Sequence, residues 1–395
     1  MADVRTRRAI GCGLMSALLM ACGADKGSDQ AAESASPAAV SVPVWRGVLQ
    51  SVTDVAVVTK AASDAAAASA SFASLAGPAV CDVLVRSIVH ATVGPNDEVT
   101  RISGALLIPQ GAGCIGPFPL LTYARGTSTD RARTLANPDD RETSLLINMF
   151  AARGYVVVAT DYLGYASSDF PYHPYLHAKS EASSVVDSIR AARSALASAG
   201  VATSGKIFLA GYSQGGHAAL AALRQIERTS GSDIAITATG GMSGPYDLGL
   251  TFAGGVNAAL LPTLADERLL DPADRARFRL ANVLADALGA FVDLRPIANL
   301  LASESVTDFK PIAPLLLCGG ARDPTVSFSN TTTAAAAFIA RGSNVTIVDI
   351  DQEAGFASFR PAAGTPAAGL SNYHNRVVPP LCFQSVRERL FNVYR

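Results

Sequence analysis

The stretch Gly211-Tyr212-Ser213-Gln214-Gly215-Gly216 sets a serine between two glycines, each two positions away. A short apolar run, residues 206–210, precedes it, and an alanine-rich segment suited to a helix, residues 217–227, follows. A G-x-S-x-G between strand and helix puts the serine on a tight, strained turn, and the glycines let the two backbones pass close together. The hydroxyl then emerges at a sheet edge and a helix N-terminus, where developing negative charge is favoured. Such a serine can attack an acyl carbon. The same pattern also arises by chance as a glycine-rich turn with an inert serine, so the reading depends on the serine's partners.

An activated serine needs a base, and the base needs a group that fixes its tautomer and stabilises its charged form. Behind such an elbow the chain order is serine, acid, histidine. Beyond His217, one turn after Ser213, the sole remaining downstream histidine is His374, in Asn372-Tyr373-His374-Asn375. Its loop follows the last expected strand and can reach the C-terminal edge of a sheet. The expected acid is Asp323, in the loop Gly319-Gly320-Ala321-Arg322-Asp323-Pro324 that follows an apolar strand candidate. Catalytic groups collect at such strand ends. Asp247, after the preceding strand, is the main rival, and Asp349 and Asp351 are others. Two backbone amides should receive the oxyanion: Gln214, just after the nucleophile, and Thr127, in the loop 123–127. His173 and His177 stand four apart, but Pro174 lies between them and no third ligand is evident, so they make no metal site.

These residues need a sheet to hold them. Residues 82–93 and 99–108 read as a hairpin around Gly94-Pro95-Asn96-Asp97, and 119–123 as the next strand. Residues 155–160 form a continuous β-branched run, as in a buried parallel strand. Residues 142–153, 178–199 and 214–230 are expected helices. Strands are expected at 206–210, 234–240, 314–318 and 344–350, a helix at 331–341 and a closing helix within 378–394. Strand–helix alternation points to an α/β fold, a mostly parallel sheet flanked by helices. Residues 248–311 exceed a simple crossover. Their helical stretch 273–291 and the apolar Leu260, Leu261, Leu264, Leu284, Leu288 and Phe291 suggest a lid between the sixth and seventh core strands, with a peripheral decoration as the alternative.

Five segments together resemble the secretory-lipase-like esterases of the α/β-hydrolase superfamily: DYLGYASSD (161–169), HPYLHA (173–178), GYSQGGHAAL (211–220), GPYDL (244–248) and GGARDPTV (319–326). The resemblance covers roughly residues 80–395. It implies a serine hydrolase of carboxylic esters with the triad Ser213, Asp323 and His374 and no cofactor. Many such hydrolases carry His-Gly in the oxyanion loop, whereas this chain has Arg125-Gly126. The Asp161 turn reads as scaffold. A serine peptidase acting on short peptides would use the same triad, and a non-catalytic binding module on the same scaffold is a third possibility.

Of the 395 residues 49% are hydrophobic and 16% charged, with a formal net charge of −1. This is ample for one large core and offers no basic footprint for nucleic acid. Arg5, Arg7 and Arg8 precede a short apolar stretch, 9–20, in the manner of a signal peptide spanning 1–21. Leu19-Met20-Ala21-Cys22 resembles a bacterial lipobox with Cys22 as the lipidated residue, and Gly23 in place of aspartate leans towards the outer membrane or cell surface. An ordinary secretory signal, giving a secreted or periplasmic protein, is the alternative. Residues 22–79 read as an Ala/Ser-rich tether, with 60–79 open to a helical reading, and 80–395 as the hydrolase domain. Setting aside Cys12 and Cys22 leaves Cys81, Cys114, Cys318 and Cys382. Closing the hairpin brings Cys81 to Cys114. That leaves Cys318 and Cys382 as a second disulfide or as two buried thiols.

Overall fold

The computed structural model describes residue 43 and residues 45–229, 233–253 and 302–395. Most of the expected lid lies outside the described residues, including Leu260, Leu261, Leu264, Leu284, Leu288 and Phe291. So do the signal peptide and Cys22.

The described chain is built on one sheet of nine strands: β1 (Leu49–Val58), β2 (Asp82–Val93), β3 (Val99–Gln110), β4 (Phe118–Ala124), β5 (Val156–Thr160), β6 (Thr203–Tyr212), β7 (Ala238–Met242), β8 (Leu315–Gly319) and β9 (Val345–Asp349). Their order is β1-β2-β3-β5-β4-β6-β7-β8-β9. The first three strands and β5 pair antiparallel. From β5 through β4, β6, β7, β8 and β9 every pairing is parallel. β4, β5, β7 and β8 are buried along their whole length. That burial follows from helices on both faces, and it explains why β5 and β8 read as continuous apolar runs rather than alternating ones. One face is covered by α4 (Ala178–Ser198), α5 (Gln214–Arg228) and α7 (Phe328–Ala340), through residues such as Val185, Ile189, Leu223 and Phe338. The other packs under α1 (Lys60–Ser69), α2 (Ala73–Ala76), α3 (Arg141–Met149) and α8 (Val378–Val386), with Leu146, Phe150 and Phe383 in the core. A short α6 (Leu248–Ala253) follows β7.

Residues 49–76, expected to belong to the tether, form a strand and two helices. Leu49–Val58 pairs along β2, although most of its side chains are exposed. Its backbone bonds, rather than apolar burial, hold it at the sheet edge, so composition could not reveal it. The Ala-rich run after it is helical, as alanine favours. Thr59 caps α1 by accepting from the Ala62 amide, and Ala67, Phe72, Leu75 and Ala76 enter the core. The strand expected at 234–240 lies later, at Ala238–Met242. There it is in register with Phe208–Tyr212 of β6 and Leu315–Cys318 of β8. Thr239-Gly240-Gly241 has little strand propensity of its own, and its two neighbours impose the conformation.

Both cysteine pairs are disulfides. Cys81–Cys114, with Cα atoms 5.0 Å apart, closes the open end of the β2–β3 hairpin. Cys318–Cys382, at 5.6 Å, joins β8 to α8 in place of two buried thiols. Among the described residues no helix is long and apolar enough to cross a membrane.

Because the second bridge joins cysteines 64 positions apart, replacing Cys318 and Cys382 together by alanine should lower unfolding stability by about 2–4 kcal/mol. Urea titration of the purified variant measures this. An unchanged midpoint and slope would show that the bridge contributes nothing.

Candidate active site

β6 runs directly into the elbow. Ser213 has φ 56° and ψ −124°, a conformation costly for any residue with a side chain. Two hydrogen bonds hold it: Ser213 N–H donates to Met242 O at 2.8 Å, and Gly216 N–H donates to Ser213 O at 2.8 Å. A Cβ on Gly211 would stand 1.8 Å from Gly215 O, and one on Gly215 would stand 1.9 Å from Ala124 O. Only glycine allows α5 to start against the ends of β6 and β4. The close approach places Ser213 at the N-cap of α5 and turns its side chain out of the sheet.

The expected partners meet there. His374 Nε2 is 2.8 Å from Ser213 Oγ, and His374 Nδ1 is 2.6 Å from Asp323 Oδ2. A carboxylate only accepts, so Nδ1 carries the proton towards Asp323 and Nε2 is left to accept from the serine hydroxyl. Both side chains are almost fully buried. Asp323 also accepts from Ser243 Oγ at 2.6 Å and from the amides of Thr325 and Val326 at 2.9 and 3.2 Å. Burial alone would raise its pKa. Electrostatic attraction to His374 and the His374, Ser243 and Thr325 hydrogen bonds outweigh burial and hold it below the ordinary carboxylate value.

His374 lies in a widened helical turn, Tyr373–Val377, just before α8. Tyr212, the residue before the nucleophile, donates its hydroxyl to His374 O, and the two rings lie 5.0 Å apart. The rival acids do other work. Asp351 accepts from Tyr373 OH at 2.5 Å and pairs with Arg322 at 2.9 Å, which secures the residue before His374. Asp349 accepts the amides of Ala321 and Asp351, and Asp247 accepts that of Leu250.

The loop after β4 stands beside the nucleophile, since a Cβ on Gly126 would lie 3.7 Å from Ser213 Cβ. Gly126 N–H is already committed to Glu142 Oε1 at 2.9 Å. The Thr127 side chain bonds Tyr175 OH at 2.9 Å. Arg125 is fully buried. Its guanidinium donates to Gly126 O at 2.9 Å and to Asp161 O at 3.1 Å, and lies 4.1 Å from the centre of the Tyr165 ring. An arginine at this position thus ties the loop to the turn after β5. In that turn the buried Asp161 accepts from Ser103, Thr134 and the Leu135 amide.

Sequence reasoning passed over Ser243, although it directly follows β7 and so sits at the edge where site residues gather. It also passed over Glu181, which is buried against Gln214 and His217. An acid inside an amphipathic helix carries no local sign that it faces inward. His173 is buried and paired with Gln214. Among the described residues no group of side chains could hold a metal ion.

The family model for Secretory lipase matches residues 139–244. The rice cell wall degrading esterase LipA from Xanthomonas oryzae is 32% identical, with a TM-score of 0.72, over 89% of this chain and 100% of that one. A putative hydrolase from Legionella pneumophila shares the fold at 20% identity and a TM-score of 0.64, over 87% of this chain and 98% of that one. Candida antarctica lipase A shares it at 17% identity and a TM-score of 0.53, over 77% of this chain and 76% of that one. No curated protein sequence matches the chain.

Gly215→Ala should leave little correctly folded protein, because its Cβ would meet backbone rather than a side chain that can yield. Circular dichroism and yield beside the wild type measure this, and a normally folded, active variant would refute the close approach. Asp323 supplies a pH test. Its folded pKa lies below the ordinary value of 3.8, so its ionised form stabilises the fold above that pH. The contribution disappears as pH falls through the lowered value. The stability gap between wild type and Asp323→Asn should therefore be constant near neutrality and shrink on acidification. Unfolding curves across a pH series would show it.

Proposed function

The chain belongs to the secretory-lipase-like esterases of the α/β-hydrolase superfamily and is an ester hydrolase, and we propose that Ser213, His374 and Asp323 are its catalytic triad. The continuous hydrogen-bonded line from Ser213 Oγ through His374 to Asp323 Oδ2 carries this reading. His374 takes the Ser213 proton as the hydroxyl attacks the ester carbonyl. Asp323 holds the imidazole in the required tautomer and stabilises the imidazolium. The amides of Gln214 and Thr127 receive the oxyanion, the first at the start of α5 and the second on the loop that Arg125 fastens. His374 then protonates the departing alcohol, and the same steps with water release the acid.

Ser213→Ala should reduce kcat by about 10³-fold or more, and a fluorophosphonate should label Ser213 in the wild type alone. His374→Ala and Asp323→Asn should each lose on the order of 10³-fold in kcat with KM little changed. Asp247→Asn should stay near wild type. Turnover that survives Ser213→Ala, or a harmless Asp323→Asn beside a crippling Asp247→Asn, would overturn the assignment. p-Nitrophenyl esters of increasing chain length, together with plant cell-wall material of the kind the Xanthomonas relative degrades, would define the substrate.

The protein is further proposed to be exported and anchored through lipid on Cys22. Two disulfides suit an oxidising compartment, and acyl chains on a cysteine hold a protein that a short apolar leader cannot. Cys22→Ser should abolish lipid labelling and release the protein from the membrane fraction. Membrane retention without label would point to another anchor.

A further inference from the structure

One buried carboxylate grips the first turn of the nucleophile helix from outside it. Glu181, in the first turn of α4, is 1% exposed. Its Oε1 accepts from Gln214 Nε2 at 2.7 Å and from the Leu176 amide at 3.1 Å, and its Oε2 faces His217 Nδ1 at 2.7 Å. Gln214 and His217 are three residues apart, so they lie on one face of α5 and meet the same carboxylate.

The protonation states follow from the partners. His217 Nε2 lies 2.8 Å from Glu304 O, a carbonyl that can only accept, so Nε2 carries a proton. Nδ1 faces the Glu181 carboxylate and carries one too. His217 is therefore an imidazolium, and Glu181 raises its pKa against the opposing effect of burial. His173, on the other side of Gln214, is the reverse. Its Nδ1 donates to Leu163 O at 3.0 Å, which leaves Nε2 to accept from Gln214 Nε2 at 2.6 Å, and burial lowers its pKa to about 3. The Gln214 amide group is thus held at one nitrogen by a charged carboxylate and a neutral imidazole. Glu304 adds a tie to the N-terminus of α4, where its Oε2 accepts from the Ala178 amide at 2.6 Å.

We propose that Glu181 is a positioning residue of the hydrolytic reaction, stapling Gln214 and His217 to α4 so that the Gln214 backbone N–H is held where the oxyanion forms. The role rests on the triad reading above, since it presupposes a reaction at Ser213. Glu181 touches neither substrate nor nucleophile. It acts through the orientation of the first turn of α5, where a misplacement of about 1 Å costs on the order of 10²-fold in rate.

The test is a mutant cycle read in kcat and KM separately. Glu181→Gln should lower kcat about 10- to 100-fold with KM changed less than about 3-fold, because the loss lies in the transition state. Gln214→Ala keeps the backbone amide, severs the grip from the other end and should give the same kcat-selective loss. The double variant should fall no further than the worse single variant, since both remove one interaction. A folded Glu181→Gln with kcat within about 2-fold of wild type, or losses that multiply in the double variant, overturns the proposal. Should Glu181→Gln not fold, Gln214→Ala decides alone: a kcat-selective loss supports the staple, and an unchanged kcat refutes it. Ser213→Ala runs in parallel. Wild-type turnover there would overturn the triad reading and the staple with it, whereas an inactive Ser213→Ala beside unaffected Glu181→Gln and Gln214→Ala would overturn the staple alone.

Discussion

The close approach of α5 to the ends of β6 and β4 is the constraint on which the rest of the site depends. No Cβ fits at Gly211 or Gly215. That contact holds Ser213 in a conformation it would not otherwise keep, and two backbone hydrogen bonds at 2.8 Å secure it. From it follow the outward direction of the serine hydroxyl, its place at a helix N-terminus and the position of the Gln214 amide beside it. Strain at the nucleophile is thus offset by packing several residues away.

Around the elbow the fold buries charge only where the charge has partners. Asp323 has a histidine, a serine hydroxyl and two amides. Arg125 has two carbonyl groups and an aromatic face. Glu181 has an imidazolium, a side-chain amide and a backbone amide. An unpaired buried charge would cost several kcal/mol, so each of these groups resists displacement. Their partners come from different strands and helices, which makes the site rigid where oxyanion stabilisation needs fixed dipoles.

Two histidines near Gln214 show how partners decide chemistry. His173 and His217 are both enclosed, yet the pKa of one is lowered and that of the other raised. Burial pushes both towards the neutral form, and at His217 the Glu181 carboxylate, helped by Glu304, reverses it. His374 instead stands between a carboxylate and a hydroxyl. That is the setting in which an imidazole can take up a proton and return it.

The α/β architecture, the elbow and the places of Ser213, Asp323 and His374 along the chain were legible in the order of residues alone. Those features are written in local signals: continuous apolar runs, glycines at fixed offsets, and loops that follow strands in a set order. The Cys81–Cys114 pair was legible for the same reason, because a hairpin is a short-range structure. Features that depend on distant neighbours emerge only on folding. β1 exists because β2 offers a ladder, and β7 is a strand because β6 and β8 flank it, although its own glycines disfavour one. Arg125 replaces the expected histidine by reaching a carbonyl 36 positions away. Glu181 and Ser243 join the site only once α4 and β7 are packed beside α5 and the Asp323 loop, since contacts between remote segments leave no periodic trace in the chain.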